Sequence, residues 1–259
     1  MQPLYQRVAD VVSAGLGMPV ELVQRSSYVE LERGEDDFAF LCGLPYVEVV
    51  DGMVAALTPV VAPVPAGARY GDRPIYFSDV VVPVDSTPSS FADLRGARWA
   101  FNEPASHSGY LITLQRLATM GEDTGFFREW IAAGFHQHAL QMVAAGEADG
   151  AAIDSHLLEV LVDREPGLGR RLRVVESLGP STIQPLVAGA GVAENLLEGD
   201  RAALLHVPRG DARLHQSRVA RFAAVDDADY DGIRRMLDTA KMAGLWVGPR
   251  PPGLGALLA

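Results

Sequence analysis

The 259-residue chain has a single cysteine, Cys42. A lone thiol excludes an intramolecular disulfide, and without a second sulfur ligand it cannot build a cysteine metal cluster. Cys42 is therefore expected as a small packed residue. Positive charge is also scarce: 22 Lys and Arg stand against 33 Asp and Glu, a formal net charge of −11. That balance argues against nucleic acid or an anionic membrane as a partner, since both need a basic face. No run of eighteen apolar residues occurs, so no membrane insertion is expected, and no basic-then-apolar leader is visible. Internal repeats and low-complexity blocks are missing as well. What is present is 48% apolar residues, enough for one large or two modest cores.

The hydrophobic pattern alternates between strand and helix. Residues 3–15 carry Leu4, Val8, Val11 and Val12 on one helical face, closed by Gly15 and Gly17. Met18–Val23 reads as a strand, Tyr28–Arg33 as a short helix, and FAFLCG after Asp37 as another strand. A helix with Pro45 in its first turn follows, and then two β-rich stretches at 54–64 and 75–83. A short helix is expected around Phe91–Leu94, strands at Trp130–Ala133, Gly150–Ile153 and Leu172–Glu176, and helices at Ala139–Ala145 and Ser155–Val162. Gln184–Ala188 reads as a further extended segment. From Val192 the pattern turns helical, with Tyr230–Ala243 the clearest case. Such an order predicts an α/β fold with mainly parallel strands.

The chain is organised around Arg98–Leu117, RWAFNEPASHSGYLITLQRL. Trp99, Ala100 and Phe101 read as the end of a buried strand, and Leu111, Leu114, Leu117 and Met120 as one face of a helix stopped by Gly121. Ser106, His107, Ser108 and Gly109 therefore fall where a helix begins, near Gly109. There, backbone N–H groups lack partners within the helix and the dipole is positive. Two hydroxyls and a glycine at such a place suit a tetrahedral oxyanion. They equally suit a plain serine N-cap.

With these residues read, the chain resembles the phosphate, phosphite and phosphonate substrate-binding proteins of ABC transporters, a group with the type II periplasmic-binding fold. The likeness is carried by ERGEDDFAFLCGLPYV (32–47), RPIYFSDVVV (73–82), FADLRGARWAFNEPASHSGY (91–110), GFHQHALQMVAAGEADGAAIDS (134–155) and FAAVDDADYDGIRRML (222–237). It implies a two-lobed α/β fold of mainly parallel sheets flanked by helices, with a ligand cleft between lobes. Lobe one would take residues 1–83 plus 188–259, and lobe two residues 84–187. FSDVVV and IQPLVAG would be the crossing segments. The function it implies is a solute-binding protein that clamps a small oxyanion, phosphonate, phosphite or phosphate-like, between its two lobes for uptake through an ABC permease, working in the periplasm or at the cell surface. No cofactor and no metal belong to that picture.

By position the resemblance places the anion on Ser106, His107, Ser108 and Gly109, with Tyr46 facing them, His136 and Asp154 nearby, and Tyr28, Tyr76 and Gln184 as weaker candidates. For Tyr46, core filling is the competing assignment. Imidazole can donate to an oxyanion, whereas a carboxylate suits an ammonium or hydroxyl group of the ligand. Two departures stand out. Gln137 and His138 occupy positions where the family has an acidic and a small residue. Met1 falls almost at the first helix, where the family has a strand preceded by a signal or lipoprotein segment; a shortened gene model, a deliberately trimmed chain and a relative that no longer works as an exported receptor are the three readings, and cytoplasmic location stays open.

The same residues admit other functions. His136 with His138, and Asp154 with His156, form i, i+2 pairs that would share a strand face and ligate zinc. Ser108 lies outside a G-x-S-x-G elbow, which weakens a Ser-His-Asp hydrolase. A small-molecule enzyme of synthase or dehydratase type on the same two-lobed fold is the runner-up, and a soluble sensor module is the third reading.

Overall fold

The computed structural model describes residues 1–25, 30, 33–246 and 248. Among the described residues the strands are β1 (Phe38–Phe40), β2 (Leu57–Pro65), β3 (Ile75–Pro83), β4 (Arg98–Phe101), β5 (Glu129–Ala132), β6 (Gly150–Asp154), β7 (Leu172–Thr182), β8 (Leu186–Gly189) and β9 (Val219–Ala224). The longer helices are α1 (Gln2–Leu16), α2 (Gly43–Asp51), α3 (Ile112–Met120), α4 (His136–Ala145), α5 (Ser155–Arg164), α6 (Glu194–Leu205) and α7 (Asp231–Met242). The chain divides into two compact units. One holds Met1–Tyr76 and Ser181–Gly232, the other Phe77–Pro180 and the segment from Ile233 onward.

The first unit is built on a four-stranded sheet of order β1-β8-β2-β9. Its pairs β1/β8, β2/β8 and β2/β9 are all antiparallel. Leu4, Val8, Val11 and Val12 of α1 pack with Val60 and Val61 of β2, Leu186 and Ala188 of β8, Leu204 of α6 and Phe222 of β9. The helical spacing read from the sequence is the buried face of α1. The helix ends at Gly17, whose φ of 66° is a left-handed conformation that glycine adopts without a Cβ clash.

The second unit holds a five-stranded sheet of order β5-β4-β6-β3-β7. Strand β4 runs parallel to both β5 and β6, and β3 runs antiparallel to β6. Val81, Ala100, Ala151 and Ile153 of the sheet meet Ala139, Leu140 and Val143 of α4 and Leu158 and Leu161 of α5. Behind β4, Trp99 is fully buried and stacks on Phe127 at 4.7 Å, with Phe91 edge-on at 5.6 Å. Gly150 is needed opposite: a Cβ there would lie 3.1 Å from the Trp99 ring and 3.3 Å from the Val81 carbonyl.

The α/β expectation stands, with corrections. Among the described residues the sheets are not mainly parallel: β4 runs parallel to β5 and β6, while β1/β8, β2/β8, β2/β9 and β3/β6 are antiparallel. Met18–Val23 forms no strand, because Met18, Leu22 and Val23 are exposed and no ladder takes them. The segment after Val192 is not all helical; VARFAA at 219–224 is β9, whose apolar residues fit a half-buried helix as well as a sheet edge. Strand β7 continues past Glu176 to Thr182. The helix near Phe91 is a single 3-10 turn, Ala92–Leu94. Most of the helix expected at 28–33 lies outside the described residues.

Replacing Trp99 by Ala empties the centre of the aromatic cluster and is expected to cost about 3–5 kcal/mol. Urea unfolding followed by far-UV circular dichroism measures it; a loss below about 1 kcal/mol would show that the cluster does not organise this unit.

Candidate functional site

Parallel strands β4, β5 and β6 deliver three chain segments to the same, carboxyl-terminal edge of their sheet, which is where α/β proteins place ligands. The segment after β4 carries Ser106–Gly109, the one after β5 carries His136, and β6 ends in Asp154. Each is followed by a helix start. The second unit thus brings together Ser106, His107, Ser108, Gly109, His136 and Asp154.

The helix after β4 opens with a wide turn, His107–Leu111, of π type. Leu111 N–H reaches back to the Ser106 carbonyl at 3.0 Å, and Ile112 N–H to that of His107. The sequence placed the helix start near Gly109; it begins two residues earlier. Ser106 is extended, with φ −82° and ψ 128°, and its Oγ accepts the Gly109 N–H at 3.0 Å. Ser106 is therefore an N-cap, and its own hydroxyl proton remains available to a ligand. Ser106, His107, Ser108 and Gly109 are all buried.

Ser108 Oγ lies 2.8 Å from His136 Nε2, so the first residue of α4 and the turn after β4 share a hydrogen bond. Burial holds the His136 pKa down at about 4 and that of His107 at about 3. Both rings are neutral at physiological pH. Where His136 Nε2 carries the proton and donates to Ser108 Oγ, the Ser108 hydroxyl proton is left to donate elsewhere. His136 Nδ1 is buried with no partner among the described residues.

Asp154 caps α5: its Oδ1 accepts the His156 N–H at 2.9 Å and the Leu157 N–H at 3.0 Å. Desolvation is the main influence on it and raises its pKa to about 6; the two N–H bonds pull the other way, and nearby Asp79 adds to the rise. Asp79 is itself buried and accepts Ser177 Oγ–H at 2.6 Å.

Three of the remaining expected residues, Tyr46, Tyr76 and Gln184, belong to the first unit. Tyr46 is buried in α2 of the first unit, donates its hydroxyl to Asp227 Oδ1 at 2.7 Å and meets Tyr230 edge-on at 4.8 Å. Tyr76 is buried in the first-unit end of β3, and Gln184 is half-buried between β7 and β8. Tyr28 lies outside the described residues. The zinc pairs fail on geometry: His136 and His138 sit two apart on a helix, not a strand, and so point to different sides. His138 Nδ1 instead faces the Ala133 carbonyl at 3.2 Å. Asp154 and His156 meet the same objection at the start of α5.

Sequence reasoning missed Asn102. It directly follows β4, its carbonyl accepts the Gly134 N–H at 2.8 Å, and its side-chain Oδ1 is buried without a hydrogen bond. The only signal was a polar residue ending the apolar run WAF.

The family model described as "ABC transporter, phosphonate, periplasmic substrate-binding protein" matches residues 1–230. The phosphate-import protein PhnD of Mycolicibacterium smegmatis (strain ATCC 700084 / mc(2)155) is 27% identical over 263 residues, covering 90% of this chain and 79% of that protein. Among solved structures, PhnD1 from Prochlorococcus marinus (MIT 9301) in complex with methylphosphonate has a TM-score of 0.79 at 15% identity, over 92% of each chain. A binding protein component of an ABC phosphonate transporter from Pseudomonas aeruginosa gives 0.78 at 19% identity, over 98% of this chain and 86% of that one. At such identities the two structures establish likeness of fold.

Asp154 generates a pH prediction. Its folded pKa lies above the ordinary 3.8, so the folded state favours the protonated acid, and stability is lost as pH rises from about 4 through about 6. Asn keeps the capping oxygen and cannot ionise. Asp154→Asn is expected to match the parent near pH 4 and to exceed it at pH 8 by up to roughly 3 kcal/mol in denaturant unfolding. A variant less stable than the parent at pH 8 would refute this account.

Proposed function

Because the chain belongs to the periplasmic substrate-binding proteins of phosphonate ABC transporters, we propose that it captures a phosphonate or phosphate at the Ser106–Gly109 turn of its second unit. Its fold is the type II periplasmic-binding fold, and its family works as the solute-binding component of a transporter, not as an enzyme. That family assignment implies an ABC permease as partner. We further infer that this chain delivers its ligand to such a permease from outside the cytoplasm.

The observation that carries the ligand class is the Ser108–His136 contact beside the capped turn. It brings the Ser108 hydroxyl and the His136 ring together beside the Ser106 hydroxyl, with no lysine or arginine within 106–109, and both histidines of the site are held neutral by burial. Donors of this kind match the oxygens of a tetrahedral anion, and the helix dipole supplies the attraction. Methylphosphonate occupies the Prochlorococcus relative, and phosphate is the cargo named for the Mycolicibacterium one. Both share the chemistry proposed here. His107, next to the cap, and Asp154, at the end of β6, are proposed to shape the same site, the latter meeting a hydroxyl or ammonium group where a ligand carries one.

The test is calorimetric titration with methylphosphonate and with inorganic phosphate, followed by phosphorus NMR of the recovered ligand. Saturable binding with the ligand returned unchanged is expected; turnover, or no binding of either, overturns the proposal. Ser108→Ala is expected to weaken binding by about 1.5–3 kcal/mol, roughly ten- to a hundredfold, with little change in melting. Ser106→Ala should lower both, since the cap alone is worth about 0.5–2 kcal/mol. Unchanged affinity in both variants would remove the anion from this turn.

A further inference from the structure

Asn102 is more than nine-tenths buried, yet its side-chain carbonyl has no donor. The reason is visible at Gly109. A Cβ on Gly109 would lie 2.1 Å from Asn102 Oδ1, 3.2 Å from Asn102 Cγ and 3.3 Å from His136 Cε1. The amide is thus wedged against the glycine, in space that any other residue at 109 would fill. Gly109 N–H cannot serve it, being already donated to Ser106 Oγ.

An uncompensated buried carbonyl is unfavourable, and a leucine of similar shape would fill the same space without it. Burying an amide here makes physical sense if its other end is used. The carbonyl and NH2 of a primary amide diverge in one plane from Cγ, so with Oδ1 seated on Gly109 the two N–H donors are turned away from that contact. Position supports this: Phe101 and Asn102 carbonyls accept the Ala133 and Gly134 N–H groups, both at 2.8 Å, so the backbone of Asn102 also fixes the loop that presents His136.

We propose that Asn102 is a further ligand-orienting residue of this site, its side-chain NH2 donating to an oxygen of the bound oxyanion while its carbonyl is held against Gly109. The inference rests on the oxyanion reading above and adds a neutral donor from a third position, the end of β4. It also gives Gly109 a reason beyond helix initiation: it admits the amide.

Asn102→Leu and Asn102→Asp are compared with the parent by thermal melting and by titration with methylphosphonate and inorganic phosphate. Asn102→Leu is expected to melt no lower than the parent, since an unpaired carbonyl is gone, and to bind at least tenfold more weakly. Asn102→Asp replaces donors with a carboxylate and is expected to lose still more at pH 8, recovering part of the loss near pH 4. If Leu disturbs the fold, Asn102→Ser, smaller and still polar, repeats the comparison and is expected to show the same loss of affinity. Parent-like affinity in a folded Leu or Ser variant, or in Asp at pH 8, overturns the role of Asn102 while leaving the oxyanion site standing. Failure of the parent itself to bind either anion overturns both.

Discussion

Holding an oxyanion on an acidic protein requires that attraction be supplied within a few ångströms, because the Debye length in physiological salt is about 8 Å and the formal charge of −11 opposes the approach from farther away. The hydrogen bond from Gly109 N–H to Ser106 Oγ is what makes a local solution available. It pins the start of a widened helical turn, and that turn sets Ser108 within 2.8 Å of His136 Nε2. Gly109 in turn leaves room for the Asn102 amide. Remove the capped turn and each of these placements loses its anchor.

Neutrality is the second constraint. Burial makes ionised histidine costly, so His107 and His136 stay uncharged and act as polar groups of fixed direction. Asp154 obeys the same rule with opposite sign: desolvation and Asp79 favour its protonated form, yet two backbone N–H groups keep it at the head of α5. The edge of β4, β5 and β6 therefore gathers neutral histidines beside one carboxylate that burial makes easier to protonate. A transport receptor must also let its cargo go, and neutral donors attract an anion without a counter-ion that would retain it.

Much of this was legible because it depends on local pattern. The apolar spacing of α1, the strand ending at Phe101, the small-residue turn and the stop at Gly121 are each written in a few neighbouring residues. Strand direction was not legible: whether β2 pairs antiparallel with β8 or β9 is decided by partners more than a hundred residues away. VARFAA could not be separated from helix by period alone, and Met18–Val23 had strand composition but no partner. Within the site, the turn residues were readable and Asn102 was not, since its significance lies in an unpaired carbonyl and in the atoms beside Gly109, neither of which leaves a trace in sequence. The π opening of the helix is equally silent, because five-residue and four-residue turns accept the same residues.

One contact in the site admits two chemistries, and its surroundings decide between them. A serine 2.8 Å from an imidazole nitrogen is the start of a nucleophile–base pair. Such a pair works far better when a third group holds the ring and stabilises the imidazolium, as a buried carboxylate on Nδ1 does in a triad. Here Nδ1 of His136 is buried and has no partner among the described residues, and the pKa near 4 shows an environment hostile to the charge that catalysis would create. The same hostility favours binding. A ring that stays neutral leaves the proton on Ser108, which suits the hydroxyl-donor role proposed for that residue. The weak basicity of His136 thus agrees with membership of a family of transport receptors.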